Sequence, residues 1–245
     1  MHLLKSTKLS YLPEYVALEV TNVCNFRCAF CRQSDARHRE TLVPSYLEPE
    51  ACRLYLSRIR EAGIITNLMH WTLDGEPFLN RQFAELVRIS AGFGFTNTNF
   101  SSNGMYCQAD RLAEFPLDKV RLNIAIDFSA DQAGFEKVRG TPGSWMQVAT
   151  NIKSILTDPR TRSVRLEITD ISSFTEPDPA KQQQALTALQ QLFGPHERIK
   201  YRIRKFHNAA GFLPSTLMAK PAGRYHLCPY PWTQMAITHA GDCVP

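Results

Sequence analysis

No stretch of the 245 residues approaches the unbroken apolar run needed to cross a bilayer, so a helical membrane span is excluded. The first thirteen residues carry Lys5 and Lys8 but no apolar h-region, which argues against a secretory signal and for a cytoplasmic protein. There is no internal repeat and no low-complexity tract. Neither sign of charge dominates, with 28 Lys and Arg against 23 Asp and Glu. The net value of +5 is mild and the basic residues are spread out apart from 198–205, so neither nucleic-acid nor membrane partners are expected. A paired cysteine framework is also missing. The seven cysteines are odd in number, and three of them fall within eight residues. In a reducing compartment, clustered thiols point to metal rather than to disulfides.

Short β-like runs alternate with longer helical ones, the pattern of a parallel α/β protein. Strands are predicted at 15–21, 68–73, 96–101, 120–126, 164–169 and 199–204. Helices are predicted at 48–62, 81–92, 108–115, 145–156 and 179–192. Asp178 and Pro179 supply a helix start, and Gly194-Pro195 a stop. Six strands with crossovers give a (β/α)6 layout, open or closed part-way into a barrel.

The later strands have one apolar and one polar face. Val120, Leu122, Ile124 and Ile126 oppose Arg121, Asn123, Ala125 and Asp127. Val164, Leu166 and Ile168 oppose Arg165, Glu167 and Thr169, and Ile199, Tyr201 and Ile203 oppose Lys200, Arg202 and Arg204. Strands buried on both faces read as continuous apolar runs. With helices over the greasy side, the polar side must line a wet lumen. An antiparallel sheet with one solvated face would show the same alternation, but the helical crossovers argue against it.

The main chemical signal is Cys24-x3-Cys28-x2-Cys31, placed where the first strand ends. Ligands and chemistry gather at the carboxyl ends of strands in such folds. Iron–sulfur cubanes normally take four thiolates. Three on one loop leave one iron without a protein ligand, open to the amino and carboxylate groups of an amino acid. The alternatives are a zinc site, a disulfide with a spare thiol, or chance. Zinc sites take four ligands in paired sets, and here no second pair follows at finger-like distance, with His38 the one nearby histidine. Cys52 and Cys107 read as small core residues, and His70 as a core histidine on the second strand.

The cysteine spacing, with Phe30 just before the last thiol, resembles the signature of the radical S-adenosylmethionine (SAM) superfamily. The resemblance continues along most of the chain. Asp74-Gly75-Glu76-Pro77 after the second strand is similar to that family's GEP turn. Ser101-Ser102-Asn103-Gly104 after the third is similar to its TNG turn. Ile126-Asp127 after the fourth is similar to its S-x-D strand end, and the 135–140 segment to one in which an arginine meets the SAM carboxylate. The serine of the strand-four pattern is Ala125 here, with Asn123 a candidate substitute.

The resemblance implies a partial (β/α)6 TIM-like barrel with a [4Fe–4S] cluster and SAM as cofactors. Cys24, Cys28 and Cys31 would ligate iron. Gly75, Glu76 and Pro77 would hold the methionine amine. Ser102 and Asn103, with Asn123 and Asp127, would sit toward the ribose. Arg139 would pair with the carboxylate, and Phe30 would border the adenine. Glu19, Arg121, Arg165, Glu167, Arg202 and Arg204 are further lumen charges, available to substrate or to one another. The implied reaction is reductive SAM cleavage to a 5′-deoxyadenosyl radical that abstracts hydrogen from a peptide or a sugar-like small molecule. A flavodoxin or ferredoxin would be the reductant. The rival readings are a non-catalytic zinc or iron–sulfur module and an electron-transfer protein, neither of which needs the turns at 74–77 and 101–104.

Residues 1–215 are expected to form the core domain. Residues 216–245 resemble the opening of a SPASM domain, with Cys228 and Gly241 fitting its pattern and the next ligand due at position 246. On that expectation the sequence stops inside the motif.

Overall fold

The computed structural model describes residues 12–205 and 233–244. Cys228 and the rest of the 228–232 motif lie outside the described residues.

The six expected strands are all present: β1 (Tyr15–Leu18), β2 (Leu68–His70), β3 (Asn97–Ser102), β4 (Arg121–Phe128), β5 (Arg165–Asp170) and β6 (Ile199–Ile203). They lie side by side in chain order, every pair parallel. Two further strands escaped the sequence reading. β7 (Gln234–Ile237) runs parallel to β1, from Tyr15 opposite Gln234 to Leu18 opposite Ile237, and β8 (Cys243–Val244) returns antiparallel to it. The eight-stranded sheet runs from β6 at one end to β8 at the other, and those two ends do not pair among the described residues. The architecture is a partial, TIM-like parallel barrel.

The expected helices correspond to α2 (Pro49–Glu61), α3 (Phe83–Gly92), α4 (Ala109–Ala113), α6 (Ser144–Thr157) and α7 (Pro179–Phe193). Asp178 accepts from the Ala180 N–H and caps α7 as its sequence position suggests. Two short helices were not anticipated, α1 (Ala36–Thr41) and α5 (Gln132–Arg139). α5 has only two turns and carries Gly134, which weakens the helical pattern. Its caps define it instead: Asp131 accepts from the Ala133 and Gly134 N–H groups, and Gly140 ends it at φ +63°.

The alternation along the strands sets the layers. Leu122, Ile124, Ile126 and Phe128 of β4 and Leu166 and Ile168 of β5 are buried on the outer face, against Val148, Ile152 and Ile155 of α6. Under α3, Phe78, Phe83, Phe100 and Phe115 meet largely edge to face, with centroids 5.1–6.3 Å apart. The inner face carries polar residues. Asn123 of β4 donates to Asn99 at 2.7 Å and to Asn97 at 3.2 Å, and His70 lies 3.5 Å from Asn99. His70 thus faces the lumen rather than the core, and partial burial lowers its pKa. A barrel stabilised only by packing fills its interior with apolar layers. This one keeps a hydrogen-bonded asparagine belt across its middle.

Candidate active site

Loops at the carboxyl ends of the strands enclose a cavity of about 510 Å³. Cys24, Cys28 and Cys31 line it, together with Phe30, Gly75, Glu76, Ser102, Asn103, Asp127 and Arg139. The structure therefore brings together residues from five separate motifs.

The cysteine loop is framed by main-chain bonds from two sides. The Arg27 and Ala29 N–H groups donate to the Arg139 and Val138 carbonyls at the end of α5, at 3.2 and 2.7 Å. Close approach there requires Gly140, because a Cβ would lie 2.3 Å from the Arg27 carbonyl oxygen. On the other side the Glu76 N–H donates to the Val23 carbonyl at 2.8 Å. Gly75 lies so close to this loop that a Cβ would fall 2.1 Å from the Thr21 oxygen. Buried Gln33 donates to the carbonyls of Asn22 and Asp74, at 3.0 and 3.2 Å, and ties the two loops again.

Glu76 is 2% exposed, and its carboxylate is committed. It accepts from Ser102 Oγ at 2.9 Å, from the Asn103 N–H at 2.6 Å and from the Phe78 N–H at 3.3 Å. Burial raises its pKa, opposed by those three donors and by Arg139. The acid of the 74–77 turn thus joins that turn to the one at 101–104. Asn103 carries the link onward by donating to Asn25 Oδ1 at 2.7 Å, with Cys24 Sγ 3.9 Å from the same nitrogen. Asn151 of α6 fixes the second turn from behind, donating to the Gly104 and Met105 carbonyls at 2.9 Å each.

Arg139 is buried, its guanidinium over the rings of Phe26 and Phe30 at 5.1 and 5.9 Å. Asp127 lies 3.4 Å from one of its nitrogens and accepts from Arg204 with both oxygens, at 2.8 and 2.7 Å. Arg204 also lies over Phe30, at 4.9 Å. The Nε atoms of both arginines are buried without a hydrogen-bond partner. Burial raises the pKa of all three thiols, that of Cys28 to about 11, and the positive charge of Arg139 opposes the rise at each.

Some expected residues lie elsewhere. Asn123 belongs to the asparagine belt, one layer below the cluster cavity, and does not line it. A strand advances about 3.3 Å per residue, so two residues before Ala125 is too deep to replace the family's serine. Pro77 is buried at the start of a 3-10 turn, Pro77–Leu79, and supports the loop without facing the cavity. Of the lumen charges, Glu167, Arg202 and Arg204 reach the cavity, and Glu167 pairs with Arg202 at 3.2 Å. Arg121 and Arg165 open on the opposite mouth. Glu19 is buried against His239 Nδ1 at 2.5 Å, in the turn between β7 and β8. Gln33, Asn80 and Asn151 were missed. Asn80, which donates to the Val20 and Leu47 carbonyls at 3.2 and 2.9 Å, stands three residues past the 74–77 turn, and that nearness was its only signal.

The residues fit a thiolate-bound cluster. Three thiols share one cavity, a guanidinium stands behind them with a free buried donor, and the adjoining turn leaves room for backbone alone. Among the described residues no three His, Cys, Asp or Glu side chains converge as ligands of a single ion, whereas a cubane offers each thiolate a separate iron. Fold and site together define a barrel whose carboxyl-end mouth is fit to hold an iron–sulfur cluster.

Comparison with known proteins supplies the family. The Radical SAM superfamily pattern matches residues 18–156, and the chain belongs to that superfamily, whose cofactors are a [4Fe–4S] cluster and SAM. The sporulation killing factor maturation protein SkfB of Bacillus subtilis (strain 168) is 29% identical over 147 residues, 60% of this chain and 33% of that protein. A GTP 3′,8-cyclase of Marinobacter nauticus is 32% identical over 140 residues, 56% of this chain and 40% of that protein. The chain thus spans a third to two-fifths of the length of these curated relatives. The structure of BtrN in complex with AdoMet and 2-DOIA superposes with a TM-score of 0.58 at 13% identity, covering 96% of this chain and 73% of that one. Streptococcus suis SuiB bound to S-adenosylmethionine gives 0.55 at 13% identity, covering 96% and 60%. These two likenesses concern the fold alone. No helix among the described residues is long and apolar enough to cross a membrane.

Proposed function

We propose that this chain cleaves SAM reductively and uses the resulting radical to abstract hydrogen from a polar substrate. The carrying observation is the meeting of three thiols with the 74–77 turn, the 101–104 turn and Arg139 around one cavity. When bound, the reduced cluster supplies one electron for carbon–sulfur cleavage of SAM, giving methionine and a 5′-deoxyadenosyl radical.

Cys24, Cys28 and Cys31 would hold the cluster as thiolates, with an iron position left for the amino acid part of SAM. The backbone around Gly75 receives its ammonium. Glu76 positions Ser102 and Asn103 toward the ribose without spending its carboxylate on the cofactor. Arg139 receives the carboxylate through its spare donor, with Asp127 holding it from the far side. Phe30 borders the adenine. Glu167, Thr169 and Arg202 form the wall left for the substrate, which favours a polar molecule. The relatives named above include a peptide maturation protein and a nucleotide cyclase, so a peptide and a small polar molecule remain the two substrate classes. A flavodoxin- or ferredoxin-type donor supplies the electron in the cytoplasm. Residues 1–215 serve as the core and 216–245 as the start of a SPASM-like extension, in which β7 pairs with β1.

The test is anaerobic reconstitution with iron and sulfide, followed by dithionite and SAM. The wild-type chain should be brown, carry one cubane's worth of iron, change its spectrum with SAM and form 5′-deoxyadenosine. Cys28→Ala should form none, and retained formation would remove the ligand assignment. A colourless zinc protein would support a binding module, and a cubane blind to SAM an electron carrier. Label transfer into 5′-deoxyadenosine from candidate peptides and small polar molecules would then identify the substrate.

A further inference from the structure

A second cavity, of about 700 Å³, opens at the amino ends of β2 to β6, the mouth opposite the cluster. Five cationic side chains line it, Lys119, Arg121, Arg162, Arg165 and Arg198. Two carboxylates, Asp118 and Glu197, line it as well, so positive charge is in excess. Among the described residues no ion pair engages Lys119, Arg121, Arg162 or Arg165, although Arg160, two residues from Arg162, pairs with Asp110 and Asp158.

Three features separate this mouth from an ordinary solvated basic surface. Arg121 and Arg165 lie on the inward-facing registers of β4 and β5, in line with Asn123 and Glu167, so they converge across a concavity. Arg198 is held rigidly at the rim, its guanidinium donating to the carbonyls of Leu156 and Thr161 at 2.7 and 2.8 Å, with three longer bonds to Ile155 and Val164. The cavity also continues inward. A middle space of about 400 Å³ shares Asn97, Arg165, Glu197 and Arg198 with it and Glu167 with the cluster cavity. Asn97, Asn99 and Asn123 line that middle space with Arg165, Glu167 and Lys200, beside the apolar Leu68, Leu166 and Ile199, so polar groups run from one mouth toward the other.

Like charges gathered in a concave, partly enclosed site raise the local potential and concentrate anions. Guanidinium forks with neighbouring amide donors match phosphate oxygens. We propose that the amino-end mouth is a binding site for a phosphate-bearing small molecule, with Arg121 and Arg165 as its principal cationic contacts. The site is distinct from the SAM cavity and does not depend on the cluster.

The experiment is isothermal titration of the full, metal-free chain with tripolyphosphate and, in parallel, with a nucleoside triphosphate. The wild-type chain should bind tripolyphosphate saturably. Arg121→Gln with Arg165→Gln should weaken that binding by about tenfold or more, as loss of charge-assisted bonds predicts. Arg37→Gln with Lys137→Gln, an equal charge change on exposed helices, should leave it unchanged. Tighter binding of the nucleotide would assign the site to nucleotides, and equal binding would assign it to the phosphates alone; both support the proposal. Absence of binding by the wild-type chain, or equal weakening by the two double variants, would overturn it. Circular dichroism of each variant separates lost binding from lost folding.

Discussion

Replacing Gly75 with alanine tests how closely the SAM turn must lie on the cysteine loop. The added Cβ would fall 2.1 Å from the Thr21 carbonyl oxygen and 2.7 Å from that of Val23. Close carbon–oxygen contacts lie at about 3.3 Å, so the turn must retreat by about 1 Å. Both obstacles are backbone, in a segment held by Thr21, Asn22 and Gln33 hydrogen bonds, and neither can swing aside. The retreat breaks the bond from the Glu76 N–H to Val23 and drags Glu76 away from Ser102 and Asn103. Overpacking of this kind costs about 1–3 kcal/mol of stability. A misplacement near 1 Å at a reacting centre costs about 100-fold in rate. Gly92→Ala is the control, since a Cβ there meets nothing within 4 Å; it should raise stability by up to about 1 kcal/mol. The assay is 5′-deoxyadenosine formed per reconstituted cluster, with iron content and thermal midpoint measured alongside. A Gly75→Ala enzyme within twofold of wild type, at equal iron, would refute the reasoning.

Burial holds the Cys28 thiol protonated up to about pH 11 in the metal-free chain, against 9.0 for a free thiol. Its alkylation by iodoacetamide should therefore keep rising past pH 9. The sign for stability follows, because the unfolded thiol ionises first, so this group's contribution is full below pH 9 and fades toward 11. Urea titrations of the metal-free Cys28→Ala chain should lack that part of the slope. Arg139→Ala should weaken SAM binding while the cluster's iron content holds, and unchanged affinity would take Arg139 out of the site. Asp127→Asn leaves Arg139 and Arg204 facing each other without their shared carboxylate. Breaking a buried pair of this type costs about 3–5 kcal/mol, read as a fall in the denaturation midpoint that Leu54→Ala, at an exposed position, would not produce.

Much of the site was legible because its chemistry is local. Three thiols within eight residues and a Gly-Glu-Pro turn need no tertiary knowledge to be seen, and the period-two alternation of β4 and β5 gave the lumen face directly. What was hidden is what depends on distance across the fold. Nothing in Gln33 or Asn151 announces that each satisfies two carbonyls, Gln33 one in each of two loops and Asn151 two in the turn before α4. β7 is four residues long and acquires its meaning only beside β1. The misplacement of Asn123 was avoidable, since strand rise alone puts it a layer beneath Ala125. Glu76 is the subtler case: its motif marks it for the cofactor, while the geometry gives its carboxylate to the neighbouring turn.

The support of the cysteine loop by the last carbonyls of α5 has a consequence for metal uptake. Amides at 27 and 29 are anchored by peptide groups, so their alignment is settled when the barrel folds. The backbone that carries the thiols is thus set by the fold of α5, and metal uptake would act on a loop whose main chain is already placed.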